Sequence, residues 1–306
     1  MLTLSMPDNR LLSALRVQSR ALETAHRFFR EEGFVELMPI ILSTTTDPVG
    51  PDPGSRIMTT PHIEYLGQNL VLTQSMILHK QILVSSGIEK LYIVSPNVRL
   101  ESPERKNTHR HLFEFSQVDF EIAGAVMEDV FRLMEGLICT VTRDVLTCCG
   151  EELEVWDRKL RVPRKFKRYT TADLRAEYGE DWEVPASMNA EDPFWVLNHK
   201  REFYDAEDPF RPGTYLNYDL IYPEGYGEAL SGAEREWQYD RIVSRIERDG
   251  LPLEQFASYL EYARKGFVPS AGAGFGVERL TRWLVGAQHV GDVQSFRRVP
   301  GERVTV

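Results

Sequence analysis

Two stretches, Asn97–Glu101 and Phe113–Ile122, alternate between polar and apolar side chains. Successive side chains of a strand point to opposite faces. Asn97, Arg99 and Glu101 therefore share one face, with Val98 and Leu100 behind them. Phe113, Phe115, Gln117, Asp119 and Glu121 share another, with Val118, Phe120 and Ile122 behind. Paired as a hairpin, the two strands make a sheet whose apolar side must be covered by helices. The open side presents an arginine, three acids, amide groups and two rings. A solvated sheet face with cross-strand ion pairs fits the same pattern, but such a face rarely needs two phenylalanines. The connection from Ser102 to Arg110 is charged and able to fold over a ligand.

Helices to cover the sheet are legible on both sides of the hairpin. Leu11, Leu12, Leu15, Ala21, Leu22, Ala25, Phe28 and Phe29 set a helical stripe over Asn9 to Glu32, with Asp8 as cap and Gly33 as stop. Val126 to Thr147 reads as an amphipathic helix ending at Gly150. Shorter helices are expected over Met76–Ser86, Trp237–Arg248 and Glu254–Lys265. Strands are expected over Phe34–Leu42, broken at Pro39, and over Leu91–Val94, Phe194–Leu197 and Leu216–Tyr222. Thr44–Gly54, rich in Pro, Gly and Asp, reads as a loop. Glu151–Asn189 is polar and charged and yields no assignment. No linker divides the chain, so residues 1–306 are expected to form one mixed α+β domain.

Two further clusters carry chemistry. Glycines 272, 274 and 276 alternate just before a helix start that holds Arg279, and they would let a flat ligand approach the backbone. An ordinary glycine-rich turn fits as well, and no parallel βαβ pattern makes this a dinucleotide fingerprint. Asp219 and Glu228, with Ser231 nearby, offer hard oxygen ligands that suit Mg²⁺, although an acidic turn has the same composition.

Composition narrows the classes. A net charge of −10 argues against non-specific nucleic-acid binding. A hydrophobic content of 42% supports a sizeable core. Cys139, Cys148 and Cys149 form no disulfide framework, and the seven histidines lack zinc spacing. With no signal pattern and no apolar run of membrane length, the expected location is the cytoplasm.

Taken in order, R-x-E at Arg99, R-H-L-x-E-F at Arg110 and Q-x-D-x-E at Gln117 resemble motif 2 of class II aminoacyl-tRNA synthetases, in the aspartyl and asparaginyl subgroup. The glycine–arginine segment Gly272–Arg279 resembles motif 3, and Gly33–Pro39 resembles motif 1, the dimerisation element. That subgroup carries an anticodon-binding barrel of roughly a hundred residues ahead of motif 1, whereas motif 1 here begins near the first residue. The chain is more similar to the archaeal asparagine synthetases related to asparaginyl-tRNA synthetase, which are free-standing catalytic cores. Thr46–Pro53, Ser75–Gln81, Ser95–Ser102, Pro193–Trp195, Glu202–Asp205 and Pro269–Gly274 carry that likeness.

The resemblance implies a class II synthetase-like antiparallel sheet flanked by helices, without an anticodon-binding domain. It implies ATP and Mg²⁺ as cofactors, aspartate and ammonia as co-substrates, a homodimer, and no tRNA partner. Arg99 would bind the α-phosphate, Glu101 the adenine amino group, and Phe115 and Arg279 the two adenine faces. Arg110 or His111 would reach the γ-phosphate, as would Arg279. Asp219, Glu228 and Ser231 would hold Mg²⁺. Arg235 would pair bidentately with the non-reacting carboxylate of aspartate. Asp47 would meet the α-ammonium, and Lys80 with Gln74 or Gln117 would complete the pocket. Asp119 or Glu121 would deprotonate ammonium. The expected enzyme is an AMP-forming aspartate–ammonia ligase. The alternatives are a ligase that transfers to a protein lysine or tRNA, and a non-catalytic amino-acid sensor.

Overall fold

The computed structural model describes residues 9–49 and 57–304. Asp8 and the end of the Thr44–Gly54 loop lie outside the described residues. In chain order, α1 (Asn9–Glu31) is followed by β1 (Val35–Leu37), β2 (Leu42–Ser43), β3 (Ile57–Thr59), β4 (His62–Tyr65) and β5 (Gln68–Leu72). Then come α2 (Ile77–Ser85), β6 (Lys90–Val98), β7 (Leu100–Glu101), β8 (Glu114–Ala123), α3 (Met127–Cys148) and α4 (Gly150–Val155). The next elements are β9 (Lys167–Thr170), α5 (Thr171–Tyr178), α6 (Glu183–Asn189), β10 (Phe194–Leu197), β11 (Asn217–Tyr222) and β12 (Gly227–Glu234). Last are α7 (Tyr239–Arg248), α8 (Ala257–Gly266), β13 (Ser270–Gly276) and α9 (Val277–Val285).

Eight strands form one sheet in the order β1-β6-β8-β13-β12-β11-β10-β9. The expected hairpin forms in part as the second and third strands: β6 and β8 pair antiparallel, with Tyr92 opposite Phe120 and Asn97 opposite Phe115, whereas Leu100–Glu101 leaves the sheet and pairs as β7 with β3. The sheet is mixed rather than wholly antiparallel, because β1 runs parallel to β6 and β9 parallel to β10. Parallel neighbours need a crossover connection. Here α2 with the small strands supplies one crossover, and α5 with α6 supplies the other.

Helices α1, α3 and α9 cover one face of the sheet. Phe29 of α1 stacks on Tyr92 with centroids 4.8 Å apart and sits 5.7 Å from Phe120. Phe131 of α3 lies 4.3 Å from Trp195, and Trp283 of α9 stacks on Tyr222 at 4.5 Å. Each fully buried large side chain stabilises the fold by about 1.5–3 kcal/mol. Gly33 ends α1 at φ 82°, where the Phe34 N–H reaches back to the Phe29 carbonyl at 2.9 Å. Among the described residues, no helix is long and apolar enough to cross a membrane.

The stretch left unread in the sequence holds α4, β9, α5 and α6. Thr170 caps α5 reciprocally with Asp173, through contacts of 3.1 and 2.9 Å. Leu174, Trp182 and Ala186 then close over Phe194, Val196 and Ile221 at one end of the sheet. Helices of eight and seven residues are too short to establish a clear 3.6-residue period. The charged connection Ser102–Arg110 contains a 3₁₀ helix, Pro103–Thr108. It is docked rather than loose: the Val290 N–H donates to the His109 carbonyl at 2.9 Å.

Candidate active site

The face opposite α1 and α3 carries the polar side chains of β6, β8, β12 and β13. Glu121 pairs with Gly272 and Asp119 with Gly274 across β8 and β13. A Cβ on Gly272 would lie 2.1 Å from Glu121 Oε2 and 2.2 Å from the Phe120 carbonyl. One on Gly274 would lie 2.0 Å from Gln117 Nε2 and 2.7 Å from Asp119 Oδ1. These glycines are therefore strand residues rather than a turn before a helix. The room they leave is filled by Gln117, Asp119 and Glu121, not by a flat ligand. Above this floor opens a cleft lined by every expected site residue except Gln74, Asp219 and Glu121.

At the amino-acid end of the cleft, Lys80 of α2 is buried beneath the floor. Its ammonium donates to Asp119 Oδ1 at 3.0 Å, to the Ala273 carbonyl at 3.1 Å and to the Phe120 carbonyl at 3.2 Å. Three bonds exhaust an ammonium, so Lys80 acts on a ligand through the groups it holds. Arg235 differs from expectation in the same way. Its bidentate partner is Glu121, at 3.1 and 3.2 Å, and it also donates to the Gly272 carbonyl at 3.0 Å and to Asp205 at 3.3 Å. These contacts leave one Nη1 proton for a ligand.

Asp119 also accepts from Ser95 at 3.2 Å, and Glu121 from Ser270 at 2.9 Å, so both expected bases are engaged within the floor. Gln117 accepts from Asn97 at 3.1 Å. Gln74 turns away to Thr60 at 2.7 Å and contributes its backbone carbonyl, which accepts from Arg99 Nε at 3.0 Å. Asp47 is buried, and the Val49 N–H donates to it at 3.1 Å. Burial pushes the Asp47 carboxyl up, against the pull of Arg99, the Val49 N–H and the Tyr204 hydroxyl. Burial pushes Asp205 up as well, against Arg235, Arg201 and Asn217.

At the other end, the Arg99 guanidinium lies over the Phe115 ring at 5.3 Å. Glu101 is buried with Arg105 Nε 3.7 Å away. His111 sits 2.5 Å from Thr108 through Nδ1. Burial, with Arg279, Arg110 and Arg105 nearby, drives its pKa well below the usual histidine value, so it brings no charge at neutral pH. Arg110 is the cation of that expected pair, and it is ion-paired to Glu183 of α6. No motif marks Glu183, which also accepts from the Glu228 N–H at 2.9 Å. Gly227, at φ 74°, makes the room: a Cβ there would lie 2.6 Å from Glu183 and 2.8 Å from Arg110.

Arg279, in the first turn of α9, contacts Glu228 Oε1 at 3.1 Å and the Arg110 carbonyl at 3.2 Å. A β-bulge sets the position of Glu228. Ser231 pairs with Asp219 and Leu230 with Leu220, but Glu228 pairs with Ile221, leaving Ala229 as the extra residue. Without the bulge, Glu228 and Ser231 would face opposite ways; with it they share the cleft face. Burial pushes the Glu228 carboxyl up, but Arg279, Arg110 and Arg201 together outweigh it and hold the group well below the usual range. Glu278, beside Arg279, accepts from the Ser116 N–H at 3.0 and 3.1 Å. Burial raises its carboxyl to about 7.

The expected Mg²⁺ set does not form an open cradle. Asp219 and Ser231 are both hydrogen-bonded by the guanidinium of Arg201, and Glu228 belongs to Arg279. His199 Nε2 lies 3.3 Å from the same Asp219 oxygen. The other oxygen, Asp219 Oδ1, is buried without a hydrogen bond, and a single such atom falls far short of octahedral Mg²⁺. Among the described residues, no three His, Cys, Asp or Glu side chains gather as a metal site. Arg201, Glu202, Tyr204 and Asp205 all line the cleft. Their run of charges around aromatics at 201–205 was the available signal for them.

A family model described as tRNA synthetases class II (D, K and N) matches residues 2–300. An aspartate–tRNA(Asp/Asn) ligase of Methanopyrus kandleri is 35% identical over 318 residues, which cover 95% of this chain and 70% of that protein. An asparagine–tRNA ligase of Thermococcus kodakarensis is 29% identical over 319 residues, covering 97% and 71%. The solved structure of asparaginyl-tRNA synthetase from Pyrococcus horikoshii complexed with asparaginyl-adenylate matches with a TM-score of 0.84 at 26% identity. That match covers 97% of this chain and 70% of the other.

Proposed function

Because the chain belongs to the class II (D, K and N) tRNA synthetase family, we propose that it activates aspartate with ATP and passes the activated carboxyl group to ammonia. The products are asparagine, AMP and pyrophosphate. The observation that carries this reading is the acidic amino-acid end of the cleft. Asp47, Asp119, Glu121, Glu202 and Asp205 are all buried there. Lys80 and Arg235 pair with Asp119 and Glu121, and Arg99, Arg201 and Arg245 act on Asp47 and Asp205, which burial still pushes up. Buried carboxylates take charge-assisted hydrogen bonds from ammonium groups, and this reaction brings two: the α-ammonium of aspartate and the incoming ammonium.

ATP enters over Phe115 and Arg279, with Glu101 at the adenine. Aspartate lies with its β-carboxylate toward Arg99 and its α-ammonium toward Asp47. The remaining Arg235 N–H takes its α-carboxylate. A β-carboxylate oxygen attacks the α-phosphorus and pyrophosphate departs. Arg99 and Arg279 stabilise the charge that builds there. Ammonium gives a proton to Asp47, whose carboxyl burial pushes up, while Asp119 and Glu121 are engaged within the floor. The ammonia nitrogen then bonds to the acyl carbon, the bond from that carbon to the phosphate oxygen breaks, and the second proton leaves with the AMP phosphate or to water. Residues 1–306 act as one catalytic unit, paired in a homodimer through the apolar surface at Val35, Met38 and Ile41.

A second reading, transfer of the activated amino acid to tRNA, is favoured by the likeness to asparagine–tRNA and aspartate–tRNA(Asp/Asn) ligases. One experiment separates the two. The purified chain is given ATP, Mg²⁺ and aspartate with either ammonium or tRNA, and asparagine, AMP and aminoacyl-tRNA are measured. Asparagine with equal AMP upholds the proposal. Charged tRNA with no asparagine from ammonium refutes it.

A further inference from the structure

Arg201 lies between β10 and β11 and is 9% exposed. Its Nη2 donates to Asp219 Oδ2 and its Nη1 to Ser231 Oγ, and these two residues are direct cross-strand partners on the cleft face. Glu228 is brought to the same face by the bulge. The positive side of this cluster is thus a guanidinium already in place. A small divalent cation needs bare, charged oxygens around it at close range. Here the Asp219–Ser231 pair meets a planar donor fork whose charge cannot be titrated away.

We infer that Arg201 is the resident cation of the Asp219–Ser231 pair, so that the nucleotide-free chain holds no divalent ion there. Asp219 and Ser231 position Arg201 rather than ligate metal. On the functional reading above, the incoming triphosphate then meets three fixed guanidinium groups, Arg99, Arg201 and Arg279, and needs no divalent ion beyond the one it carries. That second statement rests on the proposed activation of aspartate by ATP. The first does not.

The test of the first statement is Mn²⁺ binding to the full chain without nucleotide, followed by electron paramagnetic resonance. The parent should bind no stoichiometric Mn²⁺. Arg201→Ala should tighten Mn²⁺ binding by about 100-fold, because a cation in contact with the ligand oxygens is removed. Adding Asp219→Asn to that variant should abolish the gain. Arg201→Lys keeps the charge and should behave like the parent, and melting curves confirm that each variant is folded. A parent that holds one Mn²⁺ released by Asp219→Asn overturns the inference, as does a folded Arg201→Ala variant with no gain.

The second statement is tested by pyrophosphate exchange at fixed MgATP. Free Mg²⁺ should not stimulate the parent but should partly restore Arg201→Ala. Stimulation of the parent by free Mg²⁺ overturns it. Absence of exchange in every variant refutes the functional reading and leaves the Mn²⁺ result standing.

Discussion

Glu121 and Arg235 form a two-pronged ion pair under the floor of the cleft, with contacts of 3.1 and 3.2 Å and both side chains buried. Removing one partner of such a pair leaves an uncompensated buried charge. Glu121→Gln should therefore destabilise the chain by about 3 kcal/mol. Urea denaturation monitored by circular dichroism checks this. A loss near zero would mean that Asp205 alone satisfies the guanidinium.

Gly274→Ala and Gly272→Ala should differ in kind. The new methyl at 274 meets the side chains of Gln117 and Asp119, which can swing into the cleft. Exchange of pyrophosphate with ATP should fall by about 100-fold, the scale of misplacing groups around a reacting centre, while most stability is kept. At 272 the methyl meets the Phe120 carbonyl, which cannot swing. That variant should lose about 3 kcal/mol from overpacking. Melting temperatures beside exchange rates separate the two outcomes.

Glu278 makes stability depend on pH. Burial raises its carboxyl from 4.5 to about 7. Within that window the folded chain keeps a proton that the unfolded chain has released, so stability falls as pH rises through it. The fall attributable to this group is roughly 3 kcal/mol. Glu278→Gln should flatten the slope between pH 5 and 8 and be more stable than the parent at pH 8 by roughly 2 kcal/mol. Denaturation midpoints across that range measure it. An unchanged slope would place the titration elsewhere.

The proposed dimer has an equally direct check. Met38 is 86% exposed and Ile41 55% exposed, beside the edge strand β1. Charges placed there would have to be desolvated on association. Met38→Glu with Ile41→Glu should sediment as a monomer, with a melting temperature close to that of the parent at low concentration. A variant that sediments as a dimer would locate the interface on another surface.

The β6–β8 pairing was legible because alternation is local: Tyr92, Val118 and Phe120 face the helices, and Gln117, Asp119 and Glu121 face the cleft. The long helices were legible for the same reason. What escaped the sequence depends on pairing between distant strands. Gly272 and Gly274 read as a turn because nothing local says that Glu121 and Asp119 cross above them. The partners of Lys80 and Arg235 could not be read because the acids that satisfy them lie about 40 and 114 positions away. Arg201 sits in a segment without regular structure, so no periodicity aimed it at Asp219. Glu183 belongs to a seven-residue helix inside the unread stretch.

The extra residue at Ala229 means that counting matters as much as chemistry along β12. Pairing β12 as a regular strand at its present length would leave every functional side chain in the sequence, yet turn Glu228 toward the side of Tyr222 and Trp283 and strip Arg279 of its counter-charge. A homologue with a one-residue gap at 229 would still hold Glu228 and Ser231 on one face of a regular strand, whereas one that keeps the length must keep the bulge as well.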